Sequence, residues 1–461
     1  MSASLDKILN DAISGKGLVT AYQRVVALPS EEIVGYEALA RFPERKNVTP
    51  LDILGHAKST GQLALLDHAC VREAARGALK GNSAPGMLLL VNSEPATAYA
   101  DLSKDLDVMR AAETFRLVFE ITERGLFTDL RALLRKVAVL RSLGIGIAMD
   151  DIGAHPDSLA LLDVIAPDIV KLDIGMVQSA PSEVQVHTIA AILAYHERTN
   201  AMICAEGIET DEHLEQALAC GATLGQGYKF GAAEELTVSP SPFAWPGPGE
   251  LARPETDSSV FHVTATGQQT RTVHRRELIE LIQQVQQRAA TAETPPIVLS
   301  ALGGEELGEQ TRRRYRDLAE KSPLVAVFGH HIPAGLGDRV RKVRLDKEDP
   351  LADEVSIVVL GPDTAAGVVA REKVTTSQSN GDRLYDVVST EDRDRAAAAV
   401  RSLLERPMPM ISVRVDARRR KLASCTCGWT AKWRRLWFMA LGDVSDHQLK
   451  TGHMPLDLLE H

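Results

Sequence analysis

Aromatic residues are scarce: Phe, Trp and Tyr together make up 4% of the 461 residues. A chain so poor in rings has little material for the stacking platforms of single-stranded nucleic-acid binders. Basic charge is short as well. Lys and Arg number 52 against 62 Asp and Glu, a formal net charge of −10. That argues against nucleic acid as a partner, because non-specific duplex binding needs a basic footprint. Five cysteines, a low and odd count, exclude a disulfide scaffold and fit a reducing, cytoplasmic compartment. No apolar run approaches the roughly 20 residues that span a bilayer. The stretch Met1–Lys16 carries Asp6, Lys7, Asn10 and Asp11 inside its apolar pattern, so it reads as an amphipathic helix and not a signal peptide, and no membrane partner is expected. With 44% apolar and 25% charged residues, wholesale disorder and collagen are excluded too.

What is present divides the chain. At about 150 residues per domain, the length suggests about three. Ser239–Pro254 holds Pro240, Pro242, Pro246, Pro248 and Pro254 with Gly247 and Gly249, a composition that cannot hold a regular ladder and reads as a stiff linker. The expected division is residues 1–238, a linker at 239–257, a smaller α/β unit at 258–408 and a tail at 409–461. In the first region short apolar runs alternate with amphipathic stretches. Strands are predicted at Val19–Leu28, Ile33–Leu39, Met87–Val91, Leu117–Ile121, Gly146–Met149, Ile169–Leu172, Met202–Ala205 and Ala222–Leu224, with helices such as Leu130–Leu143 and Val184–Glu197 between them. Eight such strands predict an α/β (β/α)8 TIM-like barrel. The first two are joined only by Pro29-Ser30-Glu31-Glu32, too short for a crossover helix, so that pair is expected to be antiparallel.

Chemistry gathers where the strands end. The second run leads into Glu37-Ala38-Leu39-Ala40-Arg41, the third into Asn92, the fourth into Glu120-Ile121-Thr122-Glu123 and the fifth into Asp150-Asp151. The sixth carries Lys171-Leu172-Asp173, the seventh Glu206-Gly207-Ile208-Glu209 and the eighth Gln226-Gly227. In a barrel the C-terminal strand ends open on one face, where active sites sit. Any one acidic residue after a strand is readily a helix cap. The set together aims several carboxylates, one amide and one lysine at a common axis. Clustered carboxylates repel and raise one another's pKa. A divalent cation relieves that, and oxygen-only ligands select hard ions such as Mg2+ or Mn2+. Adjacent aspartates can serve the two-ion sites that cleave phosphodiesters.

These segments, ending in Gln226-Gly227-Tyr228, resemble in order the signature of the EAL family of cyclic di-GMP phosphodiesterase domains, over roughly residues 1–235. The resemblance implies that Glu37, Asn92, Glu120 and Asp150 hold one Mg2+ or Mn2+, and that Asp150 and Asp151 hold a second. It implies that Glu206 acts at the metal–water cluster as ligand or base, and that Lys171 orients the water and offsets phosphate charge. Gln226 would position a water and Arg41 would contact a phosphate. Gln23 would lie at the guanine or phosphate side, and Asp173 would support Lys171 or the waters. The implied reaction is hydrolysis of cyclic di-GMP to linear pGpG by a metal-activated water, in a homodimer. Two departures stand out. Arg24 follows Gln23 where the family has Pro, and the loop Gly153-Ala154-His155-Pro156 replaces the family's Gly-Thr-Gly-Tyr. Gly153 and the bracing glutamate, Glu123, are retained. The competing reading is a catalytically weak or inactive barrel that serves as a cyclic di-GMP receptor or scaffold.

Beyond the linker, Glu277–Val285 reads as an amphipathic helix and Ile297–Leu299, Leu324–Phe328 and Val355–Leu360 as strands, with a helix at Asp392–Leu404. Arg314-Tyr315, Val325–Gly329, Ile357–Pro362, Arg371-Glu372 and Asp382-Arg383 resemble the DICT sensory module, which implies regulation by sensing or by contact with a protein partner and names no ligand; a plain dimerisation domain is the alternative. In the tail, Cys425 and Cys427 precede His447 and His453, a spacing close to a Cys2His2 zinc site although the C-x-C pair is tight. Free thiols and a redox pair are the alternatives. The basic, aromatic run Lys432–Trp437 reads as a solvated face.

Overall fold

In the computed structural model the described residues are 2–44, 48–81, 83–95, 97–99, 102–123, 125–180, 182–236, 243–244, 259–373 and 383–406, with the backbone of 410–415, 421–425 and 454–455, and residue 431. The expected tail ligands Cys427, His447 and His453 lie outside the described residues, as does the Cys425 side chain. The chain divides into two compact units, residues 1–158 with 165–251, and residues 159–164 with 252–461.

The first unit is a closed eight-stranded barrel in sequence order. Its strands are β1 (Val19–Ala27), β2 (Glu32–Arg41), β3 (Leu88–Ser93), β4 (Arg116–Thr122), β5 (Gly146–Ile152), β6 (Ile169–Leu172), β7 (Met202–Ala205) and β8 (Leu224–Gly225). β1 runs antiparallel to β2 and to β8, as its short connection requires. Every other neighbouring pair is parallel. Helices alternate with the strands and start where capping predicts. Asp129 caps Leu130–Ser142, whose stripe Leu133, Leu134, Val137 and Leu140 is buried, and Ser182 closes a capping box on Glu183–Thr199.

Side-chain alternation builds the barrel interior in layers. Val25, Val34, Leu88, Leu90, Val118, Ala148, Ile169, Cys204 and Leu224 form one buried cluster inside it. Strand side chains alternate faces with a period of two, so the residue two positions onward also points inward. Those residues are Asn92, Glu120, Asp150, Lys171, Glu206 and Gln226. One step of two along each parallel strand therefore turns an apolar plug into a polar mouth.

The second unit carries a seven-stranded sheet ordered β12-β11-β10-β13-β14-β15-β9. The ranges are β9 (Arg271–His274), β10 (Ile297–Leu302), β11 (Val325–Gly329), β12 (Val340–Arg344), β13 (Glu354–Leu360), β14 (Ala365–Glu372) and β15 (Leu384–Thr390). Only β10, β11 and β13 were expected from apolar runs. β12 reads Val-Arg-Lys-Val-Arg, an edge strand whose charges mask its period. β14 opens Ala-Ala-Gly, residues with weak strand preference. Helices Arg275–Thr291 and Glu309–Ala319 cover one face through Leu278, Val285, Tyr315 and Leu318. Ser356, Val358 and Leu360 on the other face of β13 are buried as well. A further three-stranded sheet has the order β17-β16-β18, from Lys421–Cys425, Met410–Val415 and Met454–Pro455.

Candidate active site

Lys171, fully buried on β6, sits at the centre of the polar layer. Its ammonium lies 2.6 Å from Glu206 Oε1, 2.7 Å from Glu120 Oε1, 3.1 Å from Asp150 Oδ1 and 3.4 Å from Glu37 Oε2. Burial alone would pull its pKa down. The four carboxylates outweigh that and hold it well above the usual lysine value. Glu37 on β2 accepts from Asn92 Nδ2 at 2.8 Å and from Gln226 Nε2 at 2.9 Å. Burial raises its pKa, but Lys171 and the two amides prevail and lower it below the ordinary range. Glu120 has no such donors. Burial, with the Glu37 and Asp150 charges added, pushes it well above the carboxylate range against the pull of Lys171. Glu206 is pushed up to about 7, again by burial first, with Lys171 opposing.

Asp150 and Asp151 pose a geometric problem that the backbone solves. Adjacent strand residues face opposite sides. Here the β5–β6 register shifts between Met149 and Ile152, and Asp151 adopts a left-handed φ of 57°, a conformation that Asp tolerates better than most residues. The bulge turns the second carboxylate back toward the first. Asp150, Asp151 and Glu206 then offer one oxygen each within 4.8 Å of one another.

The donor set suits hard divalent cations. Both Glu120 oxygens and Asp150 Oδ1 are buried without a hydrogen bond; the Lys171 ammonium is close to Glu120 Oε1 and Asp150 Oδ1 but outside hydrogen-bond angles. Four carboxylates (Glu37, Glu120, Asp150, Glu206) surround one ammonium and Asp151 lies beside two of them; when all five are ionised the surplus is four negative charges, which two divalent cations would balance. All the donors are oxygen, the preference of Mg2+ and Mn2+.

The remaining expected residues ring this cluster. Gln23 pairs directly with Glu37 across β1 and β2, so the two share the inward face. Arg41 is exposed at the end of β2 and donates to the Ala40 carbonyl at 3.1 Å. Asp173 caps the helix Ile174–Gln178, accepting from Gly175 N at 2.8 Å. It makes no ion pair with Lys171 among the contacts described. Glu123 is buried behind the β5 loop, and burial pushes its carboxyl up to about 7, with the Ser158 hydroxyl and His155 N–H opposing. Gly153 has φ 113°, and a Cβ there would lie 2.8 Å from Met176 Cγ, so the turn after the bulge requires glycine.

Two supports escaped the sequence reading. Cys204 on β7 points its thiol at Gln226 Oε1, 3.8 Å away. Its signal was parity, two residues before Glu206. Behind Asn92, Ser93 points outward into a buried network. Lys136 donates to Ser93 Oγ at 2.5 Å and to the Glu94 carbonyl at 2.6 Å, and Asp67 accepts from Tyr99 Oη. A lysine on the buried stripe of Leu130–Ser142 was the available clue.

Two family models match the chain. The EAL domain model matches residues 6–233. The model for the sensory domain in diguanylate cyclases and two-component system, DICT, matches residues 257–373. The bifunctional diguanylate cyclase/cyclic di-GMP phosphodiesterase MucR of Pseudomonas aeruginosa is 29% identical over 243 residues, covering 50% of this chain and 36% of its own. The probable cyclic di-GMP phosphodiesterase PdeN of Escherichia coli is 29% identical over 227 residues, covering 47% and 43%. The chain spans less than half the length of these two curated relatives. Among solved structures, the PaMucR phosphodiesterase in complex with c-di-GMP shares 28% identity at a TM-score of 0.43, covering 50% of this chain and 97% of that one.

Proposed function

This chain belongs to the EAL family through residues 6–233 and to the DICT sensory-domain family through residues 257–373, and from that premise we propose that its barrel hydrolyses cyclic di-GMP to linear pGpG. The observation that carries this reading is the ring of four carboxylates around Lys171, with Asp151 beside two of them and Asn92 and Gln226 bonded to Glu37, at the C-terminal strand ends. Relatives named cyclic di-GMP phosphodiesterases support the substrate. Glu37, Asn92, Glu120, Asp150, Asp151 and Glu206 would hold two Mg2+ or Mn2+. Those ions would supply an activated water and neutralise charge on the phosphodiester.

The chain's own groups do the rest. Asn92 and Gln226 fix the Glu37 carboxylate from both sides, so its orientation is set before any ligand arrives. Lys171 keeps its proton and sets a positive charge where the phosphoryl oxygens gain negative charge. Glu206, beside Lys171 and Asp150, would act at the metal–water cluster as a ligand or as the base that takes the water's proton. Arg41, at the rim, offers a planar fork to a phosphate. The second unit would regulate this activity as a sensory module.

One feature favours a second reading. Pro156 stands in the loop after β5 where the family has Tyr, and proline stiffens a backbone by fixing φ. A barrel whose loop cannot rearrange would bind the dinucleotide without cleaving it.

The test is turnover of cyclic di-GMP to pGpG by the full chain with Mg2+ or Mn2+, alongside Glu37→Ala. We expect wild-type turnover and a loss of about a hundredfold or more in the variant, each being measured against its circular dichroism spectrum. Full activity in Glu37→Ala would sink the site assignment. Binding without turnover in the wild type would establish the receptor.

A further inference from the structure

The second unit buries an amide that has no well-formed hydrogen bond. Gln286, on the helix Arg275–Thr291, is 2% exposed, yet neither its Nε2 nor its Oε1 has a hydrogen-bond partner. It acts on the neighbouring Tyr315 hydroxyl without making a bond of acceptable geometry. Proteins avoid such burial, because the lost bonds to water go unreplaced.

The amide lines a cavity of about 200 Å3 between this helix, the helix Glu309–Ala319 and the sheet. Arg275, Leu278, Ile282 and Gln286 follow the helical i, i+3, i+4 spacing, so one stripe forms the cavity wall. Leu302, Val355 and, from the loop before the second helix, Leu307 add to its apolar lining. The polar part is ordered. Tyr315 Oη donates to Ser300 Oγ at 2.7 Å, and Ser300 Oγ donates to the Ser356 carbonyl at 2.7 Å. Both hydroxyl protons are thus committed, and the Tyr315 oxygen is left as an acceptor. At the rim, Glu305 is already held by Arg275 at 2.8 Å, Tyr385 at 2.6 Å and Arg383 at 2.9 Å. The inner wall therefore presents one amide donor, one amide acceptor and one phenolic acceptor, while the second lining carboxylate, Glu306, is exposed to solvent at the mouth. A groove of about 1030 Å3 adjoins it between the same two helices, and Gln283 and Gln286 line both, which gives a small molecule a route in.

We propose that this cavity is a binding site for an uncharged molecule about one substituted ring in size, carrying an adjacent hydrogen-bond donor and acceptor as a carboxamide or lactam does. Its amide edge pairs with both ends of Gln286, and its ring lies against Leu278, Ile282, Leu302 and Val355. The size follows from volume, since an apolar cavity of about 150 Å3 accommodates benzene. The class follows from chemistry. An anion would meet no counter-charge inside, a hydrocarbon would leave the amide unpaired, and a water bridging the amide and the phenol would leave the apolar wall uncovered.

The probes are benzamide, benzoate and toluene, titrated into the full chain by calorimetry and ligand-observed NMR. Benzamide is expected to bind saturably and benzoate not at all. Gln286→Leu is expected to weaken benzamide about tenfold or more and to strengthen toluene. Leu307→Phe, which narrows the cavity from the loop while leaving Tyr315, Ser300 and Gln286 intact, should abolish binding of both and carries the test if Gln286→Leu does not fold. Unchanged benzamide affinity in Gln286→Leu overturns the proposal whatever Leu307→Phe does. So does the absence of saturable benzamide binding to the wild type, or equal binding of benzoate.

Discussion

Glu123 shows how one side chain couples the strand ends to the loop beside them. It follows β4, is nearly buried, and touches the segment that carries Asp151, Gly153 and His155. Burial raises its carboxyl from 4.5 to about 7. Between those two values the native state keeps a proton that the unfolded chain has already released. Stability therefore falls as pH rises through that window, and the whole penalty stands above pH 7. Glu123→Gln keeps the shape of the side chain and removes the titration, and Ser158 goes on donating to the His155 carbonyl. In chelator-treated protein we expect the variant to be more stable than the wild type by ~1–2 kcal/mol at pH 8, after allowance for solvent screening. The difference should vanish near pH 4.5. Urea melts across that range check it, and a gap that does not change with pH would assign Glu123 a different role.

At the scale of the element, β5 does what a regular strand cannot. The polar residues that close each apolar run, read in order, made seven site positions legible from sequence: Glu37, Asn92, Glu120, Asp150, Lys171, Glu206 and Gln226. Asp151 was expected beside Asp150, although the strict alternation of a regular strand puts neighbours on opposite faces. What brings it back is the register shift and the φ of 57°, and neither has a sequence signal beyond the nearby Gly153. Lys171 was legible as a member of the set, though not as its centre, because that depends on closure of the barrel. In the second unit, β12 and β14 were hidden by charge and by small residues. The bulge makes a prediction that separates conformation from charge. Asn tolerates the left-handed region as Asp does, whereas Ala costs about 1 kcal/mol or more there. Asp151→Asn should keep the metal-free stability and weaken the second Mn2+ by about tenfold or more, read by calorimetric titration. Asp151→Ala should lose both. Equal Mn2+ affinity in wild type and Asp151→Asn would remove Asp151 from the site.

At the scale of the whole molecule, two ligand classes are assigned to two cores that share no residue. The barrel is plugged by the Val25–Leu90–Val118–Ile169 layer beneath its carboxylates. The second unit is held by the cluster around Leu278, Tyr315 and Ile357. A ligand that binds only a folded unit stabilises that unit by mass action, by about 2.7 kcal/mol at one hundred times its dissociation constant. For a barrel of this size that is roughly 5–10 °C in melting temperature. Scanning calorimetry of the full chain should therefore resolve two transitions. Mn2+ should raise the barrel's transition by about that amount and leave the other in place, while EDTA reverses it. Glu37→Ala, lacking one ligand, identifies which transition belongs to the barrel, because its Mn2+ shift should shrink. Benzamide should do the converse, moving the second transition alone. If Mn2+ moved neither transition, the carboxylate ring would not be a cation site and the phosphodiesterase reading would lose its chemistry. If a single transition were seen instead and both Mn2+ and benzamide raised it, the two units would unfold as one cooperative body, and a signal bound at Gln286 would reach Lys171 through stability itself.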